Sequence, residues 1–267
     1  PAITVDTQAP EAPTVAAVST DNLLNKADHD ADFTLTGTGE AAATVKVSGF
    51  LTGVKTRTVD GEGAWTLGVE KADLGADAAT MLSITQSDAV GNKSDAVSLK
   101  LTTDVTVAAP TINAIATDDK ANSAEAAAGF NITGTGEAGA VVTLTLDSSS
   151  TLAGGNTATV GADGSWSIAV VAADITAMGE GAEVITAKQV DVAGNTSVNS
   201  SAKTLAVDTV APSAPAVVLG TGVSDGATDA EAAASGGVIT VAGENGAAIV
   251  VSLTGQSGTV TKNVTGD

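Results

Sequence analysis

The sequence has no cysteine and no tyrosine, and only three phenylalanines and two tryptophans among its 267 residues. Without cysteine there is no disulfide framework and no thiolate metal site. With so few aromatics, alanine, valine, leucine and isoleucine must build the cores. Such side chains bury less apolar area each, at about 25 cal/mol per Å², so small domains made from them call for an added staple. Histidine is limited to His29, which disfavours zinc. Basic residues are scarce too: 11 Lys plus Arg stand against 31 Asp plus Glu, a net charge of −20. A surface this acidic repels nucleic acid and anionic membranes and suits a cation as partner. No apolar run approaches the ~20 residues of a membrane span, so direct membrane insertion is not expected. No signal peptide is visible, and the chain opens in mid-pattern, as a segment of a longer array would.

What is present is a repeat. A linker phrase occurs three times, as VDTQAP from Val5, TDVTVAAP from Thr103 and VDTVAPSAP from Val207. Its acid is Asp6, Asp104 and Asp208, spaced 98 and 104 residues apart. A second phrase, GTGEA, begins at Gly37 and Gly134 and returns as AGENG from Ala242, which puts Glu40, Glu137 and Glu244 in register. A third leads into Trp65 (DGEGAW) and Trp166 (DGSW), and a fourth is DAVGN from Asp88 and DVAGN from Asp191. Four phrases in one order define a period near 100 residues. The expected division is 1–103, 104–207 and 208–267, with residues 1–5 as the tail of a preceding repeat. The third copy stops early, with Asp267 in the register of Asp60 and Asp163.

Each repeat reads as short alternating segments, such as Phe33-Thr-Leu-Thr and Val141-Val-Thr-Leu-Thr-Leu146, broken by Gly, Asp and Asn. No stretch shows a convincing helical period. Seven strands fit repeat one: A (13–20), B (32–38), C (44–50), D (55–59), E (64–69), F (80–87) and G (95–103). The expected fold is all-β: tandem immunoglobulin-like antiparallel β-sandwiches of seven strands each, the third copy incomplete. Phe33, Phe130, Trp65 and Trp166 belong to the cores. The DG pairs at Asp60 and Asp163 read as hairpin turns.

Alternating strand direction sorts the loops. Linker, BC loop and FG loop share one end of each sandwich. This gathers Asp6, Glu40 and Asp88 in repeat one, Asp104, Glu137 and Asp191 in repeat two, and Asp208 with Glu244 in repeat three. The AB loops at the opposite end carry Asp21, Asp118 and Asp225, so each junction stacks one acidic end on another. Clustered carboxylates repel unless a cation sits among them. Ca²⁺ accepts 6–8 oxygen ligands at roughly 2.3–2.6 Å in irregular geometry, whereas Mg²⁺ demands a tighter octahedron. The same acids also suit turns and solvated surface. Recurrence of the linker Asp, BC Glu and FG Asp favours Ca²⁺ at that triad.

Together the four phrases resemble the bacterial Ig-like repeats of giant type-I-secreted adhesins and biofilm-associated proteins of Gram-negative bacteria. The resemblance spans repeats one and two and part of repeat three. It implies an extracellular stalk on the bacterial surface, partnered by neighbouring repeats of the same chain, with the host or surface ligand bound elsewhere in the parent protein. It further implies junction Ca²⁺ held by Asp6, Asp88, Asp104, Asp191 and Asp208. The linker TDVTVAAP departs from the DTxAP spelling. An enzyme is not expected: no nucleophile elbow, phosphate loop or metalloprotease motif occurs, and the acids recur with the repeat rather than forming one active site. The competing function is an adhesive module binding a glycan, a protein or an ice surface, for which Thr34, Thr36, Thr56, Thr58, Thr157 and Thr159 form short threonine rows.

Overall fold

Valine, leucine and isoleucine alternating with threonine and serine give each repeat strands with one dry face. The computed structural model describes residues 5–19, 21–221, 223, 226–232, 237–255 and 258–266. They divide into two compact units: Pro1–Ala121 with Glu125–Val207, and Asn122–Ala124 with Asp208–Asp267.

Repeats one and two form two sandwiches with separate cores, and both cores lie in the first unit. In repeat one the elements are β1 (Leu23–Leu24), α1 (Lys26–Asp30), β2 (Phe33–Thr38), β3 (Thr44–Phe50), β4 (Gly53–Thr58), β5 (Ala64–Val69), β6 (Ala79–Ser87) and β7 (Val97–Thr103). One sheet has the order β1-β7-β6-β3-β4 and the other pairs β2 with β5. Repeat two follows the same plan with β8 (Lys120–Asn122), α2 (Ser123–Ala128), β9 (Phe130–Thr135), β10 (Val141–Leu146), β11 (Thr157–Thr159), β12 (Ser165–Val170), α3 (Ala172–Met178), β13 (Gly181–Val190) and β14 (Lys203–Asp208). Its sheets are β11-β10-β13-β14-β8 and β12-β9. Leu35, Val45, Val47, Trp65, Ile84 and Leu101 fill the first core. Ile132, Val142, Leu144, Trp166, Ile185 and Leu205 fill the second. Phe33 and Phe130 pack against these cores half-buried. The indole N–H of Trp65 donates to the Thr38 carbonyl, and that of Trp166 to the Thr135 carbonyl. Glycine is required opposite each indole: a Cβ on Gly37 or Gly134 would overlap the Trp ring and a carbonyl oxygen.

The structure departs from the sequence reading in four places. Strand A is split. Thr14 and Ala16 donate backbone hydrogen bonds to β2, and the chain then crosses so that β1 pairs in parallel with β7. The fourth strand, β4, pairs with β3, so Asp60 turns the chain from one sheet to the other instead of closing a hairpin. Asp163 does the same between β11 and β12. Short helices replace parts of the expected AB loops. α1 is set by a capping box between Asn25 and Asp28, which satisfies N–H groups that have no intrahelical partner. His29 therefore lies on a helix face directed inward, 5% exposed.

The second unit carries β15 (Ala216–Leu219), α4 (Asp229–Ala232), β16 (Ile239–Ala242), β17 (Ala248–Gly255) and β18 (Gly258–Thr265). β15 pairs with β16, and β17 with β18. Gly266 donates to the Ala247 carbonyl, and Gly246 to that of Gly266. This is the closure that Val59, Ala43 and Ala42 make beside the β3–β4 hairpin, so β17–β18 is the counterpart of that hairpin. Asp225, Asp267 and residues 1–4 lie outside the described residues.

Candidate metal centre at the junction of repeats one and two

The FG loop of repeat two is folded around Asp191. Its Oδ1 accepts the backbone N–H groups of Gly194 (2.7 Å) and Asn195 (2.8 Å). Gly194 sits at φ +98°, a conformation that only glycine adopts without strain, which accounts for the GN step of the phrase. Asn195 Nδ2 donates to Asp191 Oδ2 and to the Asp104 carbonyl, both at 2.7 Å. The linker is thereby drawn against the FG loop. The BC loop is held by Gln189, whose Oε1 accepts the Glu137 N–H and whose Nε2 donates to the Ala108 carbonyl.

These bonds bring Asp104, Glu137 and Asp191 together, with one carboxylate oxygen of each within 4.8 Å of the others. Among the described residues no other group of three acids or histidines meets so closely. Asp191 is 6% exposed. Burial, followed by the charges of Asp191 and Asp77, raises the carboxyl of Asp104 above its ordinary range. Burial and then Asp104, Asp191 and Asp77 do the same to Glu137. Two oxygens each about 2.4 Å from one ion are at most about 4.8 Å apart, so the spacing fits a cation of calcium's size. All three donors are hard oxygens with no nitrogen or sulfur among them, which suits Ca²⁺ or Mg²⁺ over zinc.

Asp77, which the sequence phrases do not single out, comes from repeat one. Its Oδ1 accepts the N–H groups of Val105 (2.6 Å) and Thr106 (3.2 Å), and its Oδ2 the Thr106 hydroxyl. Those bonds, the Val105 N–H first, hold its carboxyl below the usual range. Gln86 and Gln189 were also not legible as functional positions, although both occupy the buried face of strand F in register. Gln86 joins Glu40 to Glu11 as Gln189 joins Glu137 to Ala108.

The remaining candidates are placed differently. In repeat one Asp88 accepts from Val90, Gly91 and Asn92, and Asn92 donates to the Asp6 carbonyl. Asp6 and Glu40 are exposed, and these three acids do not converge as the second set does. Asp21 and Asp118 are exposed turn residues that accept the N–H groups of Leu23 and Lys120. Asp208 ends β14 and is exposed, as is Glu244.

Two core-bearing sandwiches in tandem, tied by an acidic junction, define a multidomain immunoglobulin-like architecture. Residues 9–104 match the family model of the bacterial Ig domain, and repeat one belongs to that family. The chain is similar to a solved structure described as a Ca²⁺-stabilized adhesin that helps an Antarctic bacterium bind ice, with 30% identity, 98% of this chain and 64% of that chain covered, and a TM-score of 0.47. It is also similar to a structure concerned with host cell surface retention of a 1.5-MDa bacterial ice-binding adhesin, at 28% identity over 76% of this chain and 67% of that one, TM-score 0.44. A single bacterial immunoglobulin-like domain from the M. primoryensis ice-binding adhesin matches 37% of the chain over its whole length, at 28% identity and a TM-score of 0.29. No curated protein matches the chain. Among the described residues no helix is long and apolar enough to cross a membrane.

Proposed function

We propose that this chain is an extender segment of a large bacterial cell-surface adhesin, divided into repeats at 1–103, 104–207 and 208–267, and stiffened at its junctions by Ca²⁺. The observation that carries the reading is the convergence of Asp104, Glu137 and Asp191 within 4.8 Å. Three carboxylates in a partly dry setting repel one another, and the repulsion grows as the local dielectric falls. A divalent cation would convert that repulsion into attraction. Asp104 belongs to the linker while Glu137 and Asp191 belong to repeat two, so an ion there would fix the linker to the sandwich that follows it. The aromatic-poor cores leave the array in need of such a staple. The module works mechanically, outside the cell, and its partners are the adjacent repeats. The resemblance of the four phrases to adhesin repeats supports the extracellular setting. His29 is buried and belongs to one repeat only, which speaks against catalysis.

Calorimetric titration of Ca²⁺ into the metal-stripped full chain tests the reading. Binding is expected for the natural sequence, with at least tenfold weaker affinity at this site in Asp104→Asn. Mg²⁺ is expected to bind more weakly than Ca²⁺. Absence of Ca²⁺ heat, or an unchanged isotherm in Asp104→Asn, would overturn it.

A further inference from the structure

Asn195 is 8% exposed and uses its whole amide. Nδ2 spends both hydrogens inside the junction, on Asp191 Oδ2 and the Asp104 carbonyl. Both partners are acceptors, so the amide has one orientation, with Oδ1 facing away from them. Oδ1 accepts the backbone N–H of Lys26 at 2.7 Å. Lys26 is the first residue of α1 in repeat one, and Asn25 is its N-cap. The first N–H groups of a helix have no intrahelical partner. The capping box satisfies those of Asn25 and Asp28, whereas that of Lys26 is satisfied by the next repeat. Asp77 meanwhile grips Val105 and Thr106 from repeat one, and Gln189 grips Ala108 from repeat two. The linker is therefore bonded from repeat one by the Asp77 carboxylate and from repeat two by the Gln189 and Asn195 amides, independently of any ion.

We propose that Asn195 is an inter-repeat latch: the start of the AB helix in one repeat is a docking surface for the GN turn of the next. The latch orients the two sandwiches without a cation and positions Asp104 and Asp191 before one binds. The partner it fits is a following repeat whose FG phrase ends in Gly-Asn, as DVAGN does, with glycine at positive φ to aim the amide backwards. Repeat two carries the matching sequence for a further neighbour: Asn122 accepts the Ala124 N–H at the start of α2, as Asn25 accepts that of Asp28. The positioning of the acids rests on the calcium reading; the latch itself does not.

The absence of cysteine allows clean labelling of the full chain through Thr66→Cys and Ser167→Cys, both on exposed strand positions. Double electron–electron resonance then reads the distance distribution across the junction. In EGTA the otherwise natural chain is expected to show one narrow distribution, and Asn195→Ala to broaden it at least twofold. Lys26→Pro removes the N–H from the other side. Proline is favoured at the first helical position, and Asn25 is already extended (φ −79°, ψ −178°), as a residue before proline must be. It should therefore broaden the distribution while α1 stays folded, whereas Lys26→Ala should not. Unchanged widths in both Asn195→Ala and Lys26→Pro would overturn the latch, and so would equal broadening by Lys26→Ala and Lys26→Pro. Ca²⁺ that leaves every distribution unaltered would instead contradict cation stiffening and leave the latch standing.

Discussion

The linker, BC and FG ends of repeats one and two are written in the same phrases yet differ in what they build. Both fold the FG loop around an aspartate, Asp88 and Asp191, and both use the following asparagine to hold a linker carbonyl. In repeat one Asp88 and Asn92 are half-buried and the three acids stay apart. In repeat two Asp191 and Asn195 are buried and the acids meet. At repeat two the preceding repeat takes part: α1 supplies the Lys26 N–H bonded to Asn195, and Asp77 ties down the linker beside them. The three carboxylates themselves all lie within 104–207.

The comparison can be pressed hardest through the cores. Trp65→Ala and Trp166→Ala should each cost about 3–5 kcal/mol, read as loss of one melting transition while the other repeat's transition persists. Equal costs support equivalent sandwiches; a large cost in one alone would break the equivalence. Next in size is calcium. At 100 times its dissociation constant Ca²⁺ should add about 2.7 kcal/mol. Asp191→Asn should abolish that gain and Asp88→Asn should preserve most of it, as melting in Ca²⁺ against EGTA would record.

The pH dependence without metal is smaller and has a defined sign. Asp104 and Glu137 hold protons more tightly folded than unfolded, so their contribution falls as pH rises through the window above the ordinary carboxylate values. Asp77, Asp88 and Asp119 are held below the ordinary range, so their contribution is lost as pH falls below about 4. In EGTA, stability should decline as pH rises above the ordinary carboxylate range, and the double variant Asp104→Asn with Glu137→Gln should flatten that decline. An unaltered slope in the double variant would refute the assignment. The smallest effect concerns a pair found in repeat two alone. Asp119 Oδ1 closes the turn to Ile115, as Asn22 closes it to Val18, while Oδ2 pairs with Lys203 at 2.8 Å. Asp119→Asn keeps the turn and should cost about 0.2–1 kcal/mol, as measured for exposed pairs.

Strands, cores and the meeting of linker, BC and FG acids in repeat two were legible because period-2 alternation and recurrent phrases report on sheet faces and loop ends, but the same phrases in repeat one do not bring Asp6, Glu40 and Asp88 together. The helices were not: α1 spans Lys26–Asp30, too short to show a 3.6-residue period, and only its Asn25–Asp28 cap marked it. The split of strand A depends on β1 finding β7, a long-range pairing with no local signature. Asp77 escaped because its role exists only once the linker folds back on repeat one. Asn195 was visible as the last letter of DVAGN, but its acceptor faces another domain, which one repeat's pattern cannot announce.

The proposed cation centre is the carboxylate cluster of Asp104, Glu137 and Asp191, where the linker meets repeat two. Anomalous scattering from crystals of the full chain grown in Ca²⁺ tests it most directly. A calcium peak is expected among the carboxylates of Asp104, Glu137 and Asp191, weakened or lost in Asp104→Asn. A junction without a peak in saturating Ca²⁺ would contradict it.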